Sequence, residues 1–259
     1  MKGNPASLQR LYSAILLLLV WIALASVFPP HIVPGPVVVL ENVWENVTAQ
    51  GAFSSQGAFF HIYKTVLRVV LGLVFAMIWG TAIGVVMGVS ARGEKFFDGW
   101  VMVGLTIPAI VYGMVTLMWF GLNDFAAVMA IGVTAFPSVC INIWHGVKDI
   151  DMQLVDMAKV FQLQRGEIVR KVILPQIVPF ILAATRYALG ISWKICTTVE
   201  LIGMSSGVGF MLNYWFGLFS MPQVFAWTFT FMVVLFLIEF GIIKPVERHL
   251  LAWRPAVHV

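Results

Sequence analysis

The sequence predicts an all-α protein that crosses a membrane several times, and three observations predict it. Of the 259 residues, 60% are hydrophobic and only 11% are charged, against the roughly 25% charged of a soluble domain. Mean hydropathy is +0.93. The apolar residues gather into six runs, each near the roughly 20 residues that a helix needs to cross a bilayer core. Lys and Arg fall on alternate connections between those runs, which is the bias that sets orientation in a membrane.

The expected spans are residues 11–28, 65–90, 98–120, 125–145, 177–203 and 224–243. With the N-terminus inside, Lys2, Arg10, Arg92, Lys95, Lys148, Lys159, Arg165, Arg170, Lys171, Lys244, Arg248 and Arg254 all lie on the cytoplasmic side. The outer connections, 29–63, 121–124 and 204–223, hold no Lys or Arg. Both termini are then cytoplasmic. The first run also has signal-peptide features, a basic start and Ala23-Leu24-Ala25 as a small-x-small site. Its length favours a retained span.

Pro29, Pro30, Pro34 and Pro36 bar a helix at the start of the first outer connection. Residues 37–49 mix apolar side chains with Glu41 and Glu45, the pattern of a short interfacial helix. The second span carries Gly72, Ala76, Gly80, Gly84 and Gly88 at every fourth position. Lipid is as apolar as a leucine side chain, so helices in it associate by close packing over such small residues. A tight helix seam is expected there, and Arg68, one step further out on the same stripe, is expected to face protein. Pro108 and Pro137 lie inside the third and fourth spans and predict kinks, with gating bends as the alternative.

Several chemistries are excluded. Cys140 and Cys196 sit in apolar runs and read as buried small hydrophobes, with no disulfide framework. No G-x-x-x-x-G-K-[ST] stretch occurs, so the chain has no P-loop to cradle ATP phosphates. HExxH and CxxC are absent too. No catalytic residue and no metal ligand is predicted, and any energy source must come from a partner.

A polar stretch at residues 146–176 interrupts the oily chain and carries Lys148, Lys159, Arg165, Arg170 and Lys171. Residues 151–161 are expected to form a short amphipathic helix with Leu154, Val155, Ala158 and Phe161 as its apolar face. Gln162 falls at a turn, residues 167–173 open a second helix, and Pro175 and Pro179 mark entry into the fifth span. A charged, helix-patterned loop between spans suits docking of a water-soluble partner. Its centre resembles the EAA loop of permease subunits of ATP-binding-cassette (ABC) importers. That motif runs E-A-A, three residues, Gly, nine residues, then I-x-L-P. Asp156, Met157 and Ala158 fill the first places, Gln162 takes the Gly place, and Val172, Ile173, Leu174 and Pro175 close the pattern with every spacing kept. The resemblance implies ATPase-coupling roles for Asp156, Met157, Ala158, Phe161, Gln162, Leu163, Leu174 and Pro175. A glycine would allow a left-handed turn without steric cost; Gln162 predicts a turn closed in another way.

The resemblance extends over roughly residues 30–250. Val33-Pro34-Gly35-Pro36, His61 with Thr65-Val66-Leu67-Arg68, and Phe136-Pro137 with Asn142 and Gly146 look like segments of nitrate, sulfonate, taurine and bicarbonate permeases. So do Arg186, Leu189-Gly190 with Trp193, Glu200, and Gly207-Val208-Gly209. Permeases of pyrimidine vitamin precursors share the layout. The family implies a single permease domain over residues 1–259 in a bacterial inner membrane. It also implies a second copy of the chain with a substrate path along the dimer axis, two cytosolic ATP-binding subunits, and an extracytoplasmic solute-binding protein. ATP and Mg would belong to those ATPase partners, with no cofactor in this chain and no nucleic acid among its partners.

A charge at the centre of a membrane helix costs roughly 2.5–3.5 kcal/mol, so charges in the spans should face protein or water. Arg186, Gly190, Lys194 and Thr198 form one polar stripe of the fifth span. Glu200 lies about 120° around the helix from Lys194 and cannot pair with it there; a Glu200–Arg68 pair between helices is expected near the outer end. Arg186 is expected to snorkel toward the cytoplasmic headgroups. Lys194 reads equally as cavity-facing and as bonded to a backbone carbonyl. Arg68, Lys194, Thr198 and Glu200 are the candidates for a translocation path or gate, and Gly72, Gly80, Gly84 and Gly88 for helix packing. Basic residues along the path suggest an anionic substrate. A self-contained secondary transporter is the alternative, but the internal repeats typical of that class are not evident.

Overall fold

The computed structural model describes residues 5–48, 54 and 57–250. Lys2, Arg254, Ala49 and the side chain of Arg10 lie outside the described residues. The helices are α1 (Pro5–Val27), α2 (Pro36–Thr48), α3 (Ala58–Val89), α4 (Ala91–Thr106), α5 (Ala109–Phe120), α6 (Asp124–Lys148), α7 (Met152–Val160), α8 (Arg165–Ile168), α9 (Leu174–Gly203), α10 (Val208–Gly217), α11 (Met221–Ile238) and α12 (Lys244–Leu250). Single π-helical turns, Val169–Ile173 and Glu239–Ile243, join α8 to α9 and α11 to α12. No strand occurs among the described residues.

Among the described residues four units are long and apolar enough to cross a membrane: Ala58–Val89, Asp124–Lys148, Arg165–Gly203 and Met221–Leu250. The expected first span is the 23-residue α1, whose apolar stretch Tyr12–Val27 is shorter than the others. The span expected at residues 98–120, with a kink at Pro108, is more than kinked. It is α4 and α5, bent by 97° at their junction. The cause is local. Pro108 has no N–H to give the carbonyl of Gly104 one turn back, and that carbonyl accepts from the Tyr112 hydroxyl instead, at 2.8 Å. Pro137, by contrast, sits inside α6 without breaking it.

Helix α6 is the centre of the bundle, packed along α3 on one side and α9 on another. The glycine stripe of α3 makes the first contact possible. An added methyl would stand 2.5 Å from Ile131 at Gly72, 2.6 Å from Val139 at Gly80, 2.6 Å from the Cys140 carbonyl at Gly84 and 2.4 Å from Val147 at Gly88. Ala76, Ala135, Val139, Ile143, Ala184 and Ala188 form the core where the three helices meet. Cys140 and Cys196 are buried and unbridged.

The helix expected near residues 37–49 forms as α2, opened by Pro36 at a position where a missing N–H is harmless. It is tied to α11. Asn46 Nδ2 donates to Gln223 Oε1 at 2.9 Å, and Gln223 Nε2 donates to Asn42 Oδ1 at 2.8 Å. Helix α10, inside the outer connection 204–223, was not expected from the sequence. Its N-terminus is buried at Val208 and Gly209.

Candidate functional site

Three places carry chemistry. The first is a buried polar cluster where α3, α6, α9 and α10 converge. Arg68 is 2% exposed, and its five N–H donors all find acceptors. Nε and Nη2 donate to Asp124 Oδ1, Nη1 to Glu200 Oε1 at 2.7 Å and the Ser206 carbonyl at 2.7 Å, and Nη2 also to Ser206 Oγ at 2.7 Å. The expected Arg68–Glu200 contact is therefore present. Glu200 also accepts from the Thr65 hydroxyl at 2.9 Å and from the Gly209 N–H at 2.9 Å. Its carboxylate thus sits on the first turn of α10, where a helix favours negative charge.

Backbone shape serves that contact. Gly207 has φ +111, and a methyl there would fall 2.2 Å from the Glu200 carboxyl carbon. At Gly209 a methyl would stand 2.3 Å from the Thr197 carbonyl. The Gly207 N–H donates to His61 Nδ1 at 3.1 Å, and the Val208 N–H donates to the Thr65 hydroxyl at 2.8 Å. Lys64 adds a second cation on Asp124 at 2.7 Å. Two lysine and arginine charges thus balance two carboxylates. Sequence reasoning missed Asp124, Thr65, His61 and Ser206 as members. Asp124 stood at the end of a short connection, and only tertiary packing brings it to Arg68.

The second place is the loop. Asp151 caps α7 by accepting from the Gln153 N–H at 2.8 Å. Gln162 has φ +55, so the turn is left-handed although no glycine is there. Leu163 N–H donates to the Ala158 carbonyl at 3.2 Å and Gln162 N–H to the Lys159 carbonyl at 2.9 Å, the pair of bonds that closes a helix with a left-handed residue. The expected turn of another kind is thus corrected. So is the expected apolar face. Val155 and Ala158 point inward onto Ile168, with Leu163, Val172 and Ile173 packed around them. Leu154 is 41% exposed and stands outside that small core. The outward apolar face is Met157, Val160 and Phe161, the last two 80% and 73% exposed. Asp156 and Gln162 are exposed beside it, Leu174 is exposed, and Pro175 is half-buried.

The third place is a cleft of about 540 Å³ between the α4–α5 break, α6 and α9. Lys194 and Thr198 line it, and Arg68 and Glu200 do not. The Thr198 hydroxyl donates to the Lys194 carbonyl at 2.8 Å. Lys194 forms no ion pair among the described residues. Arg186 leaves the stripe. It pairs with Glu239 and Glu247, each at 2.9 Å, which corrects the expectation of snorkelling into lipid headgroups. Tyr187 takes its place on the cleft. Among the described residues no His, Cys, Asp or Glu group is arranged to hold a metal.

Comparison with known proteins gives these places a context. Residues 72–245 match the family described as binding-protein-dependent transport system inner membrane component. The chain is 31% identical over 86% of its length to a putative aliphatic sulfonates transport permease protein of Bacillus subtilis, covering 78% of that protein. It is 27% identical over 94% of its length to the taurine transport system permease protein of Escherichia coli, covering 88% of it. It is 30% identical over 68% of its length to a nitrate import permease protein of Leptolyngbya laminosa, covering 64% of it. In fold it is similar to an inward-facing structure of the MetNI methionine ABC transporter, with TM-score 0.63, 18% identity, and coverage of 74% of this chain and 95% of that one. A helix bundle with a polar loop and a buried ionic cluster fits those relatives, and the chain belongs to the binding-protein-dependent transport system inner membrane component family, the permease subunits of ABC importers.

Proposed function

We propose that the face formed by Met157, Val160 and Phe161 docks on a cytosolic ATP-binding subunit. The observation that carries this is an exposed apolar face on a loop whose own small core is already filled by Val155, Ala158 and Ile168. Exposed apolar side chains grouped on a loop of charged residues are best accounted for by a partner surface. Asp156, Gln162, Leu174 and Pro175 frame the contact, and Ala158 and Leu163 support it from beneath. The helix that follows is continuous from Arg165 to Gly203, so movement of the docked loop is transmitted along α9 toward the Lys194 cleft and the Glu200 cluster.

In this reading the chain is one permease domain, with α1 as a sixth span and both termini cytoplasmic in a bacterial inner membrane. Two copies pair around the path. Two ATPase subunits hold ATP and Mg, and an extracytoplasmic binding protein delivers the substrate. That substrate is a small anion of the nitrate, sulfonate, taurine or bicarbonate kind; the names of the relatives support it, as does the unpaired Lys194. Pull-down of the ATPase subunit by the tagged permease tests the contact. Phe161→Asp is expected to release the ATPase at least ten-fold while the permease still inserts and keeps its melting temperature. Retention at the wild-type ratio contradicts the assignment.

A further inference from the structure

We propose that the cleft between the α4–α5 break and α9 is a binding station for a small oxyanion of the sulfonate or nitrate class, held by Lys194, the Ser138 hydroxyl and the first amides of α5. The proposal rests on the importer reading above and adds a site to it.

Four observations converge there. Helix α5 starts at the break with no side chain capping it, and Ala109 and Ile110 of its first turn line the cleft. First-turn amides have no intrahelical acceptor and present about half a positive charge to whatever lies beyond. Ser138 lines the same cleft, is 6% exposed, and its hydroxyl makes no hydrogen bond among the described residues. A hydroxyl with no protein partner on an otherwise buried side chain of the cleft wall is free to donate to a ligand oxygen or a water there. Lys194 is the sole charged residue among those lining the cleft, and no carboxylate stands beside it. The cation buried in the bundle, Arg68, is fully bonded and neutralised. Of the span cations Arg68, Arg186 and Lys194, Lys194 alone has no carboxylate partner among the described residues.

Depth decides what kind of anion fits. Lys194 is nine residues from the end of α9 at Gly203, or about 14 Å at 1.5 Å per residue. That is close to the middle of a hydrocarbon core about 30 Å thick, out of register with phospholipid headgroups. A soluble oxyanion suits the place. Its oxygens reach the amides, the hydroxyl and the ammonium, and an organic tail lies against Ile191 and Ile195. One cation in a mostly apolar lining holds such an ion weakly enough to let it leave, which a transport path requires.

Charged thiol reagents test the station in membrane vesicles of the full chain. Ser138→Cys is expected to react with sulfonatoethyl methanethiosulfonate at least ten times faster than with its trimethylammonium analogue, after normalising each to a free thiol in solution. Wild-type protein supplies the background from Cys140 and Cys196. Adding Lys194→Ala should erase the preference, Lys194→Arg should keep it, and nitrate or methanesulfonate should slow the anionic reagent. If Ser138→Cys does not fold, Thr198→Cys on the same cleft serves. Equal rates for both reagents, a preference that survives Lys194→Ala, or protection by phosphatidylglycerol in the vesicles and not by methanesulfonate would overturn the proposal. Because no ATP is involved, these outcomes are separate from failure of the importer reading, which would appear as absent ATP-driven uptake by the wild-type complex.

Discussion

At the residue scale the Arg68–Glu200–Asp124 cluster shows how a membrane protein keeps charge in its interior. Every donor of Arg68 is used, and Glu200 sits on a helix N-terminus. Removing one partner of a buried pair costs about 3–5 kcal/mol, because the other is left charged and unpaired. Arg68→Ala should therefore lower the melting temperature in detergent far more than Lys64→Ala, whose side chain is a quarter exposed. Equal shifts would contradict the bonding scheme. Exchanging the charges, Arg68→Glu with Glu200→Arg, should not rescue the fold. Glu200 also accepts from Gly209 N–H and Arg68 donates to the Ser206 carbonyl, so the swapped groups would face backbone partners of the wrong kind. The sequence made the Arg68–Glu200 pair legible through the cost of charge in a span. It did not reveal Asp124, because proximity to Arg68 depends on how α6 packs against α3. Gln162 teaches the same point. The motif spacing located the turn, while its left-handed backbone, φ +55, is enforced by the bonds to Ala158 and Lys159. A β-branched residue is a true outlier in that region, so Gln162→Val should destabilise the loop and weaken ATPase pull-down, whereas Gln162→Gly should preserve both.

At the element scale the stripe on α3 was legible because a four-residue period is written locally. Gly80 faces Val139 with no room for a methyl, whereas Ala82 is exposed. Overpacking a filled interface costs typically 1–3 kcal/mol. Gly80→Ala should lower thermal stability by that order, and Ala82→Leu should leave it within about 0.5 kcal/mol; equal melting of the two variants would count against the seam. The α4–α5 break was half legible. Pro108 signalled a kink, but a 97° bend depends on Tyr112 satisfying the freed carbonyl. Helix α10 was not legible at all. Its ten residues are too few for a span, and its start is set by Glu200, Thr65 and His61 rather than by a cap of its own.

At the scale of the whole molecule, one end of the bundle is locked by the ionic cluster and the other carries the loop with its exposed apolar face. Between them lies a cleft lined by Lys194, which has no ion pair among the described residues. A continuous helix, Arg165 to Gly203, connects all three. That arrangement suits an importer whose power stroke enters through the loop, and it gives a secondary transporter no use for the face of Met157, Val160 and Phe161. The most direct measurement is solute uptake into proteoliposomes holding this chain with its ATPase and binding protein, tested with nitrate, taurine and an alkanesulfonate. The account predicts accumulation that requires ATP, is unaffected by collapsing proton and sodium gradients, and is lost in Phe161→Asp. Uptake by this chain alone, driven by an ion gradient without ATP, would contradict it.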